Sequence, residues 1–277
     1  EKYDVEISFN YQIPSFMVKR TKNNRVINWN HGTVYDLEKS WLKRKLQKRS
    51  FKQADVIVAI AENTKRSIAH IFPEYSKKIK LIYNGVDLEK TVRLSNEKTD
   101  IKVKDNSVIF LGRLEAAKNP LKLTEYVKNI IDSGRDLYLY ILGQGEQEKE
   151  LIELIEKNNL QDRVFLLGYV NNPCPVIAQC KAVCMLSEAE GFPTVFTEGM
   201  ALGVPFISSD VGGVSELSDN GKCGKVVNTY EQFKEAVDSV VFNPKIHREM
   251  HDACLEHIKN FSVSKQRKTV EDMLDNL

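Results

Sequence analysis

The sequence predicts an α/β protein built on parallel sheets, and three observations predict it. Short apolar runs rich in Val and Ile alternate with helical stretches along nearly the whole chain, the pattern of strands covered on both faces by crossover helices. At 277 residues and 42% hydrophobic composition the chain can bury a sizeable core, as one large domain or two moderate ones. The longest apolar runs, such as "ADVIVAIA" and "AVCML", fall far short of the ~20 residues that a membrane-spanning helix needs.

The elements follow in order. Strands are expected at "VEISFN", "RVINWN", "DVIVAIA" and "KIKLIYNG", with helices near 36–53 and 63–72. Residues 1–85 thus hold only about four strands and look like the later half of a Rossmann-like domain. Residues 86–106 are polar without a sustained period and read as an interdomain linker. Residues 107–260 have the strand count of a complete doubly wound domain, with strands at "SVIFLG", "LYLYILG", "VFLLGY", "AVCMLS" and "PFISSD". Helices are expected there near 120–133, 146–158, 173–180, 193–202 and 230–242. A helical pattern runs from about 244, breaks with a Ser cap around "NFSVS", and leaves a terminal helix within 261–277 that would pack back on the first domain. The chain begins Glu-Lys-Tyr-Asp, with no initiator Met and no signal-peptide pattern, so a trimmed start or a piece of a longer protein is expected.

Net charge is +2, but it is unevenly spread. Residues 1–90 carry 18 Lys or Arg against 10 Asp or Glu, and the remainder 22 against 28. Much of the excess lies in "KSWLKRKLQKRSFK", residues 39–52, where Trp41, Leu42, Leu46 and Phe51 are interspersed among seven basic residues. A solvated helix face and a surface resting on anionic lipid both suit this segment, and nucleic acid suits it least. Cys174, Cys180, Cys184, Cys223 and Cys254 form no C-x-x-C pair and sit mostly in apolar company. Reduced thiols in a cytoplasmic protein are therefore expected, and the spacing of the first three does not suit zinc.

Two stretches can carry chemistry. In "EAEGFPTVFTEG", residues 188–199, the buried strand "AVCMLS" gives way to a loop, and Pro193 opens a helix that Gly203 and Pro205 close. Ligands of such sheets bind where strands end and helices begin, and the free N–H groups of the helix start attract a phosphate or sugar hydroxyl. Glu190 stands just before that start, and Glu198 about 7.5 Å further along the axis. Two carboxylates flanking one anion site suit paired hydroxyls of a ribose or hexose; an ordinary exposed helix residue is the alternative for Glu198. In "FLGRLEAAKNP", residues 110–120, Arg113 and Lys118 follow a strand end, where they suit a diphosphate or else form a solvated basic loop. "GQGEQE", residues 143–148, lacks the third glycine of a dinucleotide fingerprint and reads as a tight turn.

Taken together, "GRLEAAKNP", "LGQGEQEKELIELIEKNNLQDRVFLLGYVNNPCPVI" and "SEAEGFPTVFTEGMALGVPFISSDVGG" resemble the successive signatures of the retaining glycosyltransferases of family four, which have the two-domain GT-B fold. The match covers roughly residues 79–228; "KIKLIYNGVD" is similar to the stretch leading between the two domains, and "NWNHG" to the loop whose His faces the donor sugar. The resemblance implies two Rossmann-like domains facing across a cleft, the first incomplete because family members are usually longer at the amino end. It gives Arg113 and Lys118 the diphosphate of a nucleotide-sugar, a UDP-sugar being the expected donor. Glu198 takes the ribose, and Tyr169 and Val170 meet the base. Glu190 and His31 serve the transferred sugar, and the backbone of Gly191, Phe192, Pro193, Thr194 and Val195 shares sugar and phosphate. No cofactor is implied, and metal independence is expected because no Asp-x-Asp occurs. The subfamily suggested is one that builds capsule, exopolysaccharide or lipid-linked glycans, with a glycan or polyprenyl-linked acceptor at the inner face of the membrane. A non-catalytic nucleotide-binding subunit and a GT-B sugar epimerase are the rival expectations.

Overall fold

The computed structural model describes residues 3–22 and 24–277. It divides into two compact units. The first comprises the chain up to Gly85 together with Glu190–Phe192 and Val263–Leu277; the second comprises Val86–Ala189 and Pro193–Ser262.

The first unit is built on four parallel strands in sequence order: β1 (Val5–Phe9), β2 (Arg25–Asn30), β3 (Val56–Ala59) and β4 (Ile79–Leu81). All four residues of β3 are buried, as a strand covered on both faces requires. Helix Trp41–Gln53 begins where the Ser40 side chain accepts the Lys43 N–H, and it drives Phe51 edge-on into Phe72 at 5.3 Å. β2 also buries Asn28, whose Oδ1 accepts hydrogen bonds from the Ser8 and Ser50 hydroxyls at 3.0 and 3.2 Å, while its Nδ2 has no partner among the described residues.

The second unit holds six parallel strands: β5 (Ser107–Leu111), β6 (Tyr138–Leu142), β7 (Val164–Gly168), β8 (Ala182–Met185), β9 (Phe206–Ser208) and β10 (Gly224–Val226). Their spatial order is β10-β9-β8-β5-β6-β7. Both units are Rossmann-like, and the expected α/β class with parallel sheets holds.

Four local expectations need correction. The stretch 86–106 contains helix Leu88–Ser95, capped by the Asp87 side chain, which accepts the Lys90 N–H at 3.0 Å. Two turns are too few to register as a sustained period, whereas the cap fixes the start locally. The helix expected over 173–180 is confined to Cys174–Ile177. Pro193 takes the cap position and the helix proper is Thr194–Ala201. Finally β10 and the five-residue helices Ile13–Met17 and Val214–Ser218 were not anticipated, since three to five residues carry no readable periodicity.

Phe206 on β9 stacks on Phe196 with ring centroids 4.4 Å apart, and both rings are fully buried. Phe206→Ala is expected to cost about 3–5 kcal/mol and lower the melting temperature by on the order of 10 °C, measured by calorimetry.

Candidate active site

β5 and β8 lie side by side, but the chain leaves β5 toward β6 and β7 and leaves β8 toward β9 and β10. The loops at their carboxyl ends therefore diverge and open a crevice, the usual ligand position in a doubly wound sheet. Two hydrogen bonds tie the loops together below it: the Glu188 N–H donates to the Ala117 carbonyl, and Asn119 Nδ2 donates to the Leu186 carbonyl, both at 2.9 Å.

A cavity of about 460 Å³ occupies this end of the second unit. Leu111, Gly112 and Arg113 line it from the end of β5, and Leu142, Gly143 and Gln144 from the end of β6. Tyr169, Val170 and Pro173 follow β7, and Val195 and Glu198 come from helix Thr194–Ala201. The walls after β5 and β6 are pressed together. A Cβ at Gly143, where φ is +145°, would lie 1.8 Å from the Gly112 carbonyl oxygen, and one at Gly145 would lie 2.4 Å from that of Leu114. The glycines of "GQG" thus serve loop-to-loop contact, and Leu114 N–H donates to the Gln144 carbonyl at 3.0 Å across it. Gln144 is a lining residue the sequence reading missed; its place directly after a strand end was the available signal.

The expected site residues are distributed unevenly. Glu198 lines the cavity, partly buried, and among the described residues its carboxylate has no hydrogen-bond or ion-pair partner. Burial raises its pKa above the ordinary carboxylate value. That is not the environment of an ordinary exposed helix residue. Tyr169 is 71% exposed and Val170 partly buried, so the ring presents a free face. Arg113 lines the cavity but is also 77% exposed at its side chain and pairs with Glu115 at 2.8 Å, so an anion must share or displace that carboxylate. Lys118 ends the 3-10 turn Ala116–Lys118 and is not among the lining residues.

In the first unit, His31 follows β2 and stacks on Phe9 with centroids 6.1 Å apart. Partial burial lowers its pKa, favouring the neutral imidazole near pH 7. Gly191 belongs to this unit, and a Cβ there would lie 1.9 Å from the His31 carbonyl oxygen, so no other residue fits without backbone movement. Phe192 is buried with its ring 5.6 Å from that of Tyr83. The backbone run expected to act as one cradle is thus split, with Glu190, Gly191 and Phe192 in the first unit and Pro193, Thr194 and Val195 in the second.

Comparison with known proteins adds the following. A family model described as "Glycosyl transferases group 1" matches residues 92–257, and one described as "Glycosyltransferase Family 4" matches residues 1–90. The chain is 32% identical over 178 residues to the N-acetylgalactosamine-N,N'-diacetylbacillosaminyl-diphospho-undecaprenol 4-alpha-N-acetylgalactosaminyltransferase of Campylobacter jejuni, covering 64% of this chain and 47% of that one. It is 32% identical over 209 residues to the UDP-Gal:alpha-D-GlcNAc-diphosphoundecaprenol alpha-1,3-galactosyltransferase of Escherichia coli, covering 71% and 54%. The chain therefore spans about half the length of these curated relatives. Among solved structures, Anabaena Alr3699/HepE in complex with UDP superposes with a TM-score of 0.78 at 16% identity, over 92% of this chain and 73% of that one. A glycosyltransferase from Rickettsia africae gives 0.78 at 19% identity, over 97% and 75%. These neighbours share the GT-B fold.

The unpartnered Glu198 makes a stability prediction with a definite sign. Its folded-state pKa lies above its unfolded value, so its favourable contribution is complete below the unfolded pKa of about 4.3 and is lost as pH rises through the folded value. Glu198→Gln is expected to melt above the parent at neutral pH, with the gap closing on acidification. Equal melting temperatures at pH 7 would contradict the burial argument.

Proposed function

The chain belongs to the glycosyl transferases group 1 family, and from that premise we propose that it moves a hexose or hexose derivative from a UDP-sugar to a polyprenyl-diphosphate-linked glycan, with retention of configuration. The observation that carries the donor reading is the cavity at the β5–β8 switch point, apolar-walled and holding one partly buried carboxylate that has no hydrogen-bond or ion-pair partner among the described residues. A base against Tyr169 and Val170 leaves the ribose hydroxyls to satisfy Glu198, a carboxylate with acceptors to spare. Arg113 supplies a forked cation to the diphosphate in exchange for Glu115, and Lys118 a point charge, so that the leaving group is neutralised without a metal. Glu190 orients the transferred sugar's hydroxyls, and the neutral His31 lines the acceptor side. With no nucleophile assigned, the departing diphosphate takes the acceptor's proton as the new bond forms on the same face.

The acceptor class is supported by the relatives from Campylobacter jejuni and Escherichia coli, whose names specify undecaprenol-linked substrates. Among the described residues no helix is long and apolar enough to cross a membrane. Contact with the anionic inner leaflet falls instead to helix Trp41–Gln53, which leaves Trp41 75% exposed, with Leu42 and Leu46 also exposed among its lysines. Exposed apolar and basic side chains on one helix suit insertion at a headgroup layer.

Two experiments test this reading. Arg113→Ala and Lys118→Ala are each expected to weaken UDP binding by roughly ten- to a hundredfold while leaving uridine binding nearly unchanged, as charge-assisted hydrogen bonds contribute about 1.5–3 kcal/mol. Equal losses for uridine and UDP in calorimetry rule the diphosphate assignment out. The combined change of Lys43, Lys45 and Lys48 to Gln is expected to weaken binding to anionic vesicles, each charge contributing up to about 1 kcal/mol at such a surface. Lys48 should contribute least, because it already pairs with Glu74 at 2.7 Å. Sedimentation with vesicles at parental levels would return the helix to a solvated face.

A further inference from the structure

The second unit has another cavity, of about 200 Å³, at the carboxyl ends of β8, β9 and β10, and it shares no lining residue with the cavity assigned to the donor. Ser187, immediately after β8, lines it. That residue is 2% exposed and its Oγ has no hydrogen-bond partner among the described residues, an arrangement that a folded core ordinarily avoids. Its own carbonyl accepts the Ser209 hydroxyl, so the strand-end backbone is satisfied and only the side chain is left over.

The remaining lining is chemically mixed. Lys122 holds its ammonium 5.6 Å from the centroid of the Tyr126 ring and has no ion pair among the described residues. The Glu188 carboxylate likewise has no hydrogen-bond or ion-pair partner among them. Thr229 Oγ1 accepts the Gln232 N–H at 3.3 Å as the cap of helix Tyr230–Val240, and its O–H serves the Glu231 carboxylate. A simple anion would meet Glu188 and a simple cation would meet Lys122. A polyhydroxy ring is opposed by neither, because each hydroxyl both donates and accepts.

We propose that this cavity is a second carbohydrate site, distinct from the donor position, that takes one sugar ring through Ser187, Lys122 and Glu188. The site itself stands on this geometry alone. Only the identification of its ring as a residue of a growing glycan rests on the glycosyl-transfer reading.

The test is ligand-observed NMR on the whole chain with free glucose, galactose and N-acetylgalactosamine, with and without saturating UDP. At least one of these sugars is expected to bind in the UDP-saturated protein. Ser187→Ala and Lys122→Ala should each weaken that binding by roughly three- to tenfold, the range of a single hydrogen bond. UDP affinity should not change in either variant, and Ser187→Ala should melt no lower than the parent because the hydroxyl it removes is unpaired. The proposal is overturned if no sugar binds, if both variants bind sugar as the parent does, or if inorganic phosphate binds in preference. It is also overturned if a UDP-sugar displaces the free sugar while UDP does not, since the ring would then be the donor's own. Loss of UDP binding by the parent chain would strike the donor reading and leave this site untouched.

Discussion

Parallel strands cannot be joined by tight turns, so every strand here hands the chain to a crossover, and the side on which the next strand falls decides where a ligand can enter. In the second unit that choice reverses once, between β5 and β8. Both cavities follow from the reversal. One opens toward the ends of β5, β6 and β7, the other toward the ends of β8, β9 and β10. Two hydrogen bonds, Glu188 N–H to the Ala117 carbonyl and Asn119 Nδ2 to the Leu186 carbonyl, join the loops that follow β5 and β8.

Close backbone approach is the second constraint, and it explains where glycine is compulsory. Gly143 and Gly145 let the loops after β5 and β6 run against each other, and Gly191 lets its loop meet the His31 carbonyl. In each case the obstacle is a backbone oxygen, which cannot swing aside as a side-chain end can. These contacts hold strand-end loops still, which is what a site needs if its groups are to meet a ligand without reorganising first.

Polar groups without partners mark where the structure gives up stability. Among the described residues, Asn28 deep in the first unit has its Oδ1 partnered by two hydroxyls but its Nδ2 by nothing, and the Glu198 carboxylate and the Ser187 hydroxyl have no partner beside the two cavities. A buried polar group lacking a partner opposes folding, and at a cavity wall a bound ligand can supply the missing partner.

The sequence by itself determined the class of the fold, the strands from β1 to β9 and the site loops, because strand alternation, caps and the residues flanking Gly and Pro act over a few neighbours. "AVCM" reads as a buried strand and "GFPT" as a helix start without knowledge of anything distant. β10 and the two-turn helix Leu88–Ser95 escaped because so few residues carry no period. Only the tertiary structure decided that Arg113 would be engaged by Glu115, that Glu198 would be half-buried and alone, and that Glu190 and Glu198 would fall in different compact units. It alone brought Ser187, Lys122 and Thr229 around one cavity. Apart from the Arg113–Glu115 pair, which is set within one loop, these depend on which segments become neighbours in the assembled fold, and that leaves no trace in the local pattern of any one strand.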